Sequence, residues 1–294
     1  MNVRGPITAA CFAALLAGAA CSGGGAAIQA DAAISYTKID DMEDGGDLIE
    51  WTAPRLGRGN WWTSTDCTAS HDISPVATAV DPGGWSFAVL PVSHLTLAGV
   101  STHAARLRTT APLVGIWGAN MGFNLAKQPG SDGGVIAGTP DGGTLTDPEG
   151  CPVTLDWTAV PVDLSAHAGI TFWAMADPAG TSTIRVAVDD ASTDPRGGVC
   201  DADTPGSSAD CFNSFATSLN LTDTFAPYTI DFASLQQDPS WGYHPSPDVV
   251  DTRHVFQISF RVDLPPCTTY GMCAGGSPSV TFDFWIDDLY FVDR

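Results

Sequence analysis

The sequence predicts an all-β protein, a two-sheet antiparallel β-sandwich of the jelly-roll kind, from three observations. Several segments alternate apolar and polar residues with a period of two, the pattern of a strand with one buried face. Between them lie Gly, Pro and Asp clusters, drawn from 31 Gly and 21 Pro, which read as turns and long surface loops. The acids are nearly all aspartate: Glu43, Glu50 and Glu149 are the only glutamates among 33 acidic residues. Aspartate favours turns and caps over helix interiors.

Taken in order, the chain opens with one positive charge at Arg4 and a small, apolar run from Ile7 to Ala20 that ends at Cys21. This run is shorter than the roughly 20 residues needed to span a bilayer, so residues 1–21 are expected to be a signal peptide. Leu15-Leu-Ala-Gly-Ala-Ala-Cys21 resembles a bacterial lipoprotein signal, which makes Cys21 the expected lipidation site, although Gly18 stands where that pattern usually has Leu. Secretion with cleavage after Ala19 or Ala30 is the alternative. Residues 22–33 read as a Gly/Ala tether, and residues 34–294 as one domain of a size that suits a β-sandwich with long loops. An exported protein, at the outer membrane or cell surface or secreted, follows as the expectation.

Cysteine usage agrees with export. Outside the signal remain Cys67, Cys151, Cys200, Cys211, Cys267 and Cys273, an even number with no Cys-x-x-Cys pair. Six cysteines allow about 15 connectivities; proximity favours Cys200 with Cys211 and Cys267 with Cys273, which leaves Cys67 with Cys151. The net charge of −21 becomes −22 when Arg4 leaves with the signal. With no basic stripe to displace counterions from phosphates, nucleic acid is an improbable partner. Membrane contact is expected only through the lipid anchor, and the protein is expected to be a monomer.

The clearest strand is Val255–Leu264, where Phe256, Ile258, Phe260, Val262 and Leu264 alternate with Gln257, Ser259, Arg261 and Asp263, predicting one wet face and one buried face. Thr183–Val188 and Tyr228–Phe232 show the same alternation. Further strands are predicted near 34–39, 86–89, 105–107, 121–125, 170–176 and 280–292. In the last, Val280, Phe282, Phe284, Ile286, Tyr290 and Val292 share one face by strict alternation and Asp288 interrupts it, so that carboxylate needs a partner.

The domain opens on Ile39-Asp-Asp-Met-Glu-Asp-Gly-Gly46 and closes on Phe284-Trp-Ile-Asp-Asp-Leu-Tyr-Phe-Val292. With Gly57-Arg-Gly-Asn-Trp-Trp62, Trp117-Gly-Ala-Asn-Met-Gly-Phe123 and Asp163-Leu-Ser-Ala-His-Ala-Gly-Ile-Thr-Phe-Trp173, these phrases resemble the galactose-binding-like jelly rolls, especially family 11 carbohydrate-binding modules. The resemblance implies that the terminal strands are neighbours. It also implies a structural calcium where they meet, with Asp41, Glu43, Asp287 and Asp288 as its ligands; calcium takes six to eight hard oxygens, which carboxylates and loop carbonyls supply. The acidic loop Asp201-Ala-Asp-Thr-Pro-Gly206 is no calcium loop of the helical type, because Pro205 and Phe212 stand where ligands belong.

The function implied is non-catalytic binding of extracellular polysaccharide or oligosaccharide. Sugar recognition needs a flat apolar surface for the pyranose face and polar side chains for its hydroxyls. Of nine tryptophans, Trp61 and Trp62 are the leading candidates, since adjacent residues of a strand point to opposite sides and one must face away from the core. Arg55, Arg58, Asn60 and Asp66 lie beside them, and Trp117 with Asn120 and Trp241 with Tyr243 are secondary candidates. Trp85, Trp157, Trp173 and Trp285 are expected to pack in the core or at its rim. No Gly-x-Ser-x-Gly elbow, His-Glu-x-x-His or phosphate loop is present, and the six histidines are scattered. Two alternatives stand beside this reading: a jelly-roll glycanase, polysaccharide lyase or accessory subunit of a cellulase or β-glucanase, and a structural or adhesive surface protein.

Overall fold

Fourteen strands make up the described part of the chain, a computed structural model that covers residues 34–44, 47–65, 73–74, 88–97, 99–109, 118–129, 156–202, 208–263 and 280–294. They are β1 (Tyr36–Asp40), β2 (Gly57–Arg58), β3 (Trp61–Thr65), β4 (Ile73–Ser74), β5 (Ala88–Leu95), β6 (Val100–Thr109), β7 (Gly118–Asn124), β8 (Ala126–Lys127), β9 (His167–Ala176), β10 (Thr183–Asp190), β11 (Phe215–Asn220), β12 (Ala226–Asp231), β13 (Val255–Asp263) and β14 (Asp283–Asp293). Residues Ile34–Arg294 form one compact unit.

Two antiparallel sheets carry the architecture. One has the order β12-β9-β14-β6-β4, with β1 added to β14 and β5 to β6; the other has the order β11-β10-β13-β7-β3. Their apolar faces meet in a single core. Ile184, Val186 and Val188 of β10, Ile258, Phe260 and Val262 of β13 and Met121 and Phe123 of β7 face Ile170, Phe172 and Ala174 of β9 and Phe284 and Ile286 of β14. Phe172 and Phe260 touch edge-on across the layer, with ring centroids 5.1 Å apart. The fold is a jelly-roll-like β-sandwich, in which alternating residues of the central strands supply the inner face.

The first and last strands are neighbours, as expected: β1 pairs antiparallel with β14 from Tyr36↔Val292 to Asp40↔Leu289. Along one edge β14 pairs with β9 over nearly its whole length. Along the other, β6 pairs with Asp283–Ile286 and β1 takes over at Leu289. At the seam Asp288 adopts a left-handed backbone, φ 46°, and the register to both β1 and β9 shifts. The extra residue of a bulge reverses which side chains face inward. Phe284 and Ile286 point into the core before it, and Leu289 and Phe291 after it. This corrects the strict alternation predicted for 280–292: Tyr290 and Val292 do not share a face with Phe284 and Ile286.

Cys200 and Cys211 are disulfide-bonded, with Cα atoms 5.1 Å apart. Cys21, Cys67, Cys151, Cys267 and Cys273 lie outside the described residues, as do residues 1–33 with the proposed signal and tether. No helix among the described residues is long and apolar enough to cross a membrane.

Candidate functional site

The core-facing residues of the five-stranded sheet fix its outer face by parity. Neighbouring registers align Trp62, Gly122, Ser259, Ala187 and Ala216 into one row across β3, β7, β13, β10 and β11. Beside it runs a second row of Ser64, Asn120, Arg261, Arg185 and Ser218. On the other side Asn124, Gln257 and Asp189 continue the same parity, but all three are buried.

The middle row is made of small residues except for Trp62, whose half-buried indole lies over Gly122. A Cβ at Gly122 would come within 2.8 Å of Trp62 Cζ2 and 2.6 Å of the Ile258 carbonyl oxygen, so glycine is what lets the ring settle there. Trp62 Nε1 and Asn120 Oδ1 are buried without a hydrogen-bond partner, and the registers make them diagonal neighbours in adjacent rows. The small residues of this row are themselves buried, so what the outer face presents is the half-buried Trp62 ring, while the unsatisfied donor and acceptor lie below the surface.

At one end of this face sits a buried ionic network that engages the Asn124 and Gln257 side chains. Arg196 donates to Asp194 through Nε at 2.8 Å and Nη2 at 2.5 Å, to Asn124 Oδ1 at 2.9 Å, to the Asp156 carbonyl at 3.0 Å and to Gln257 Oε1 at 3.0 Å. Its guanidinium stacks over Phe256. Asp156 in turn pairs with Lys127 at 2.9 Å. Gln257 Nε2 donates to Asp189 Oδ2 at 2.8 Å, and desolvation by burial raises the Asp189 carboxyl above the ordinary range. These contacts correct the wet face predicted for β13: Gln257 and Ser259 are buried.

The structure separates the sugar-binding candidates. Trp61 is a core residue, only 3% exposed, packed on Phe123 and donating from Nε1 to Asp40 Oδ2 at 2.7 Å; it offers no free ring. Trp62 and Asn120 share the outer face, whereas Asn60 is buried and donates from Nδ2 to the Trp61 carbonyl at 3.0 Å. Arg58 instead binds the 47–51 segment, donating to the Ile49 carbonyl at 2.6 Å and the Leu48 carbonyl at 2.8 Å. Arg55 is exposed in a turn with φ 68°. Trp241 and Tyr243 belong to the connection between β12 and β13. There the Trp241 carbonyl accepts from Asn213 Nδ2 at 2.5 Å, and the Tyr243 carbonyl accepts from Gln237 Nε2 at 2.9 Å. Asp66 and Trp117 lie outside the described residues. Sequence reasoning missed Arg185 and Arg261, although both occupy the polar parity of strands it had identified.

The four acids implied as calcium ligands gather at the β14 seam, on the other sheet. Asp287 accepts from Ser101 Oγ at 2.6 Å and from the Asp288 amide at 2.8 Å, and burial next to Asp288 and Glu43 pushes it up to about 8. Glu43 accepts from the amides of Thr102 at 2.7 Å and His103 at 2.8 Å and from Thr102 Oγ1 at 2.6 Å, which hold it at about 2. Asp41 pairs with Lys38 at 2.8 Å. Asp288 is 1% exposed. Neither carboxylate oxygen closes a hydrogen bond; burial, opposed by the Thr96 side chain and aided by the charges of Asp41 and Glu43, pushes it up to about 6. Among the described residues no three His, Cys, Asp or Glu side chains converge as a ready ligand set. The orphaned oxygens of Asp288 nevertheless suit a hard cation.

No family model and no curated protein matches the chain. Among solved structures, the chain is similar to the family 11 carbohydrate-binding module of the cellulosomal cellulase Lic26A-Cel5E of Clostridium thermocellum, at 11% identity over 90% of this chain and 97% of that one, with a TM-score of 0.41. It is similar to the family 30 module of a Clostridium thermocellum cellulosomal cellulase at 12% identity over 84% and 97%, with a TM-score of 0.41. A family 11 module solved with a β-1,3-1,4-mixed-linked tetrasaccharide gives 10% identity over 90% and 98%, with a TM-score of 0.40.

Proposed function

We propose that this chain binds polysaccharide or oligosaccharide, without transforming it, on the outer face of its five-stranded sheet. The observation that carries the reading is the half-buried Trp62 ring lying over Gly122, beside the partly exposed row of Ser64, Asn120, Arg261 and Arg185. A pyranose ring stacks its C–H face on such an indole. The partly exposed row of Ser64, Asn120, Arg261 and Arg185 offers hydrogen-bonding partners for its hydroxyls. The protein works as a monomer outside the cell, held by a lipid on Cys21, and a structural calcium bound by Asp288 with Asp287, Glu43 and Asp41 steadies the junction of the chain ends.

Affinity electrophoresis against a panel of soluble polysaccharides tests the site. Trp62→Ala is expected to abolish retention and shift the melting temperature little, whereas Trp61→Ala costs about 3–5 kcal/mol of stability because it empties a core position. Unchanged retention by the folded Trp62→Ala variant would place the site elsewhere. Release of reducing or unsaturated ends by the pure protein would make it an enzyme.

A further inference from the structure

The second row of the outer face places Arg185 directly opposite Arg261. Like charges facing one another across antiparallel strands have Cβ atoms about 5 Å apart and repel. In a chain with 12 Lys and Arg against 33 acids, ample carboxylates exist to separate them, yet one carboxylate serves both. Arg261 donates to Asp263 Oδ1 through Nε at 3.0 Å and Nη2 at 2.9 Å. Arg185 reaches Asp263 Oδ2 through Nη1 alone, at 3.4 Å.

The contrast with Arg196 is informative. That guanidinium is buried and committed on every side, whereas Arg185 makes one long hydrogen bond out of the five N–H donors an arginine carries. The Arg185, Arg261 and Asp263 side chains are 22%, 18% and 35% exposed, so the group is open to a ligand. Asp238, on the connection after β12, adds its field to Arg185, but its Oδ1 is occupied by Ser240, which donates from the amide at 2.9 Å and from Oγ at 2.6 Å. Desolvation and the neighbouring Arg261 lower the Arg185 pKa, in keeping with a cation whose charge is not fully compensated.

We propose that the Arg185–Arg261 pair receives an acidic substituent, a carboxylate or sulfate, and hence that the glycan bound on this face is anionic. This rests on the glycan-binding reading and adds a substrate class to it. A planar or tetrahedral oxyanion accepts from the uncommitted N–H groups of Arg185 and bridges to Arg261, so that the paired cations hold an anion instead of repelling each other. The Trp62 indole lies three strands from Arg185 across the sheet, about 14 Å at the usual strand spacing. The stacked sugar and the one bearing the acid are therefore different units of one chain.

The net charge of −21 makes the test discriminating, because the protein as a whole repels polyanions. Affinity electrophoresis of the mature chain would compare polygalacturonate with its methyl-esterified form, and a sulfated galactan with agarose. At least tenfold stronger retention by one acidic polymer than by its neutral counterpart is expected, weakened severalfold by added salt; the arm that retains identifies carboxylate or sulfate. Arg185→Met and Arg261→Met should each remove the preference without lowering the melting temperature, and the salt response of the unaltered protein carries the test if a variant fails to fold. Equal or stronger retention by the neutral polymers overturns the anionic assignment and leaves the glycan reading standing. No retention by any polysaccharide overturns both.

Discussion

At the scale of the residue, charge is placed with care where water is absent. Arg196 fills its donors with Asp194, Asn124, Asp156 and Gln257, and the charge of Asp194 holds its pKa above the ordinary value against desolvation. A buried pair of this kind contributes little net stability compared with apolar residues, but removing one partner strands the other. Arg196→Ala is therefore expected to lower the unfolding free energy by about 3–5 kcal/mol in urea titration, and to loosen the floor of the outer face through Asn124 and Gln257. A loss under about 1 kcal/mol would mean that water replaces the guanidinium. None of this network was legible in the sequence. Arg196, Asp156, Asp189 and Asn124 lie on separate segments: the register of β7, β13 and β10 aligns Asn124, Gln257 and Asp189, and Arg196 and Asp156 reach them from the connecting loops.

At the scale of the element, β14 shows how a short pattern can be read correctly and mean something else. Its alternation predicts a buried strand that Asp288 interrupts. The break is a bulge: a left-handed aspartate, which tolerates positive φ better than most residues, lets β6 and β1 share one edge of β14 and flips the inward set from Ile286 to Leu289. The same device buries two carboxylates side by side, which is costly unless a cation or protons compensate them. If calcium sits at this seam, it stabilises the fold by binding the native state alone. Chelator should lower the melting temperature by several degrees and calcium should restore it, and Asp288→Asn should lose that response. A melting temperature unmoved by chelator would leave the pair to be neutralised by protons.

At the scale of the whole molecule, the terminal phrases and strand alternation sufficed to place the ends side by side in a sandwich. Period-two patterning is local, and neighbouring termini require only one pairing. The outer face was less legible, because which polar residues of separate strands become neighbours depends on register, as with Arg185 and Arg261. Choosing between Trp61 and Trp62 depended on which way β3 faces. The answer, Trp61 inward on Asp40, has a consequence for the entire fold. Asp40 is buried in the core, and desolvation, opposed by the Trp61 and Met42 hydrogen bonds, pushes its carboxyl up to about 7. An acid whose folded pKa exceeds its unfolded value near 3.8 stabilises the fold when protonated. That contribution is complete below the unfolded value and is lost as pH rises through 7. Asp287, at about 8, acts in the same direction when no cation is bound. Glu43 acts oppositely: held at about 2 against 4.5, its contribution is present above 4.5 and disappears as pH falls through 2. With chelator present, the melting temperature should therefore rise as pH falls from 8 to 5 and decline below about 4, each kcal/mol moving it by about 2–4 °C in a domain of this size. Asp40→Asn, which cannot titrate, should flatten the upper limb while lowering stability at pH 5, where it loses one of the two hydrogen bonds that oxygen acceptors provide to Trp61 Nε1 and the Met42 amide. An upper limb of unchanged slope in that variant would assign the titration to the β14 seam alone.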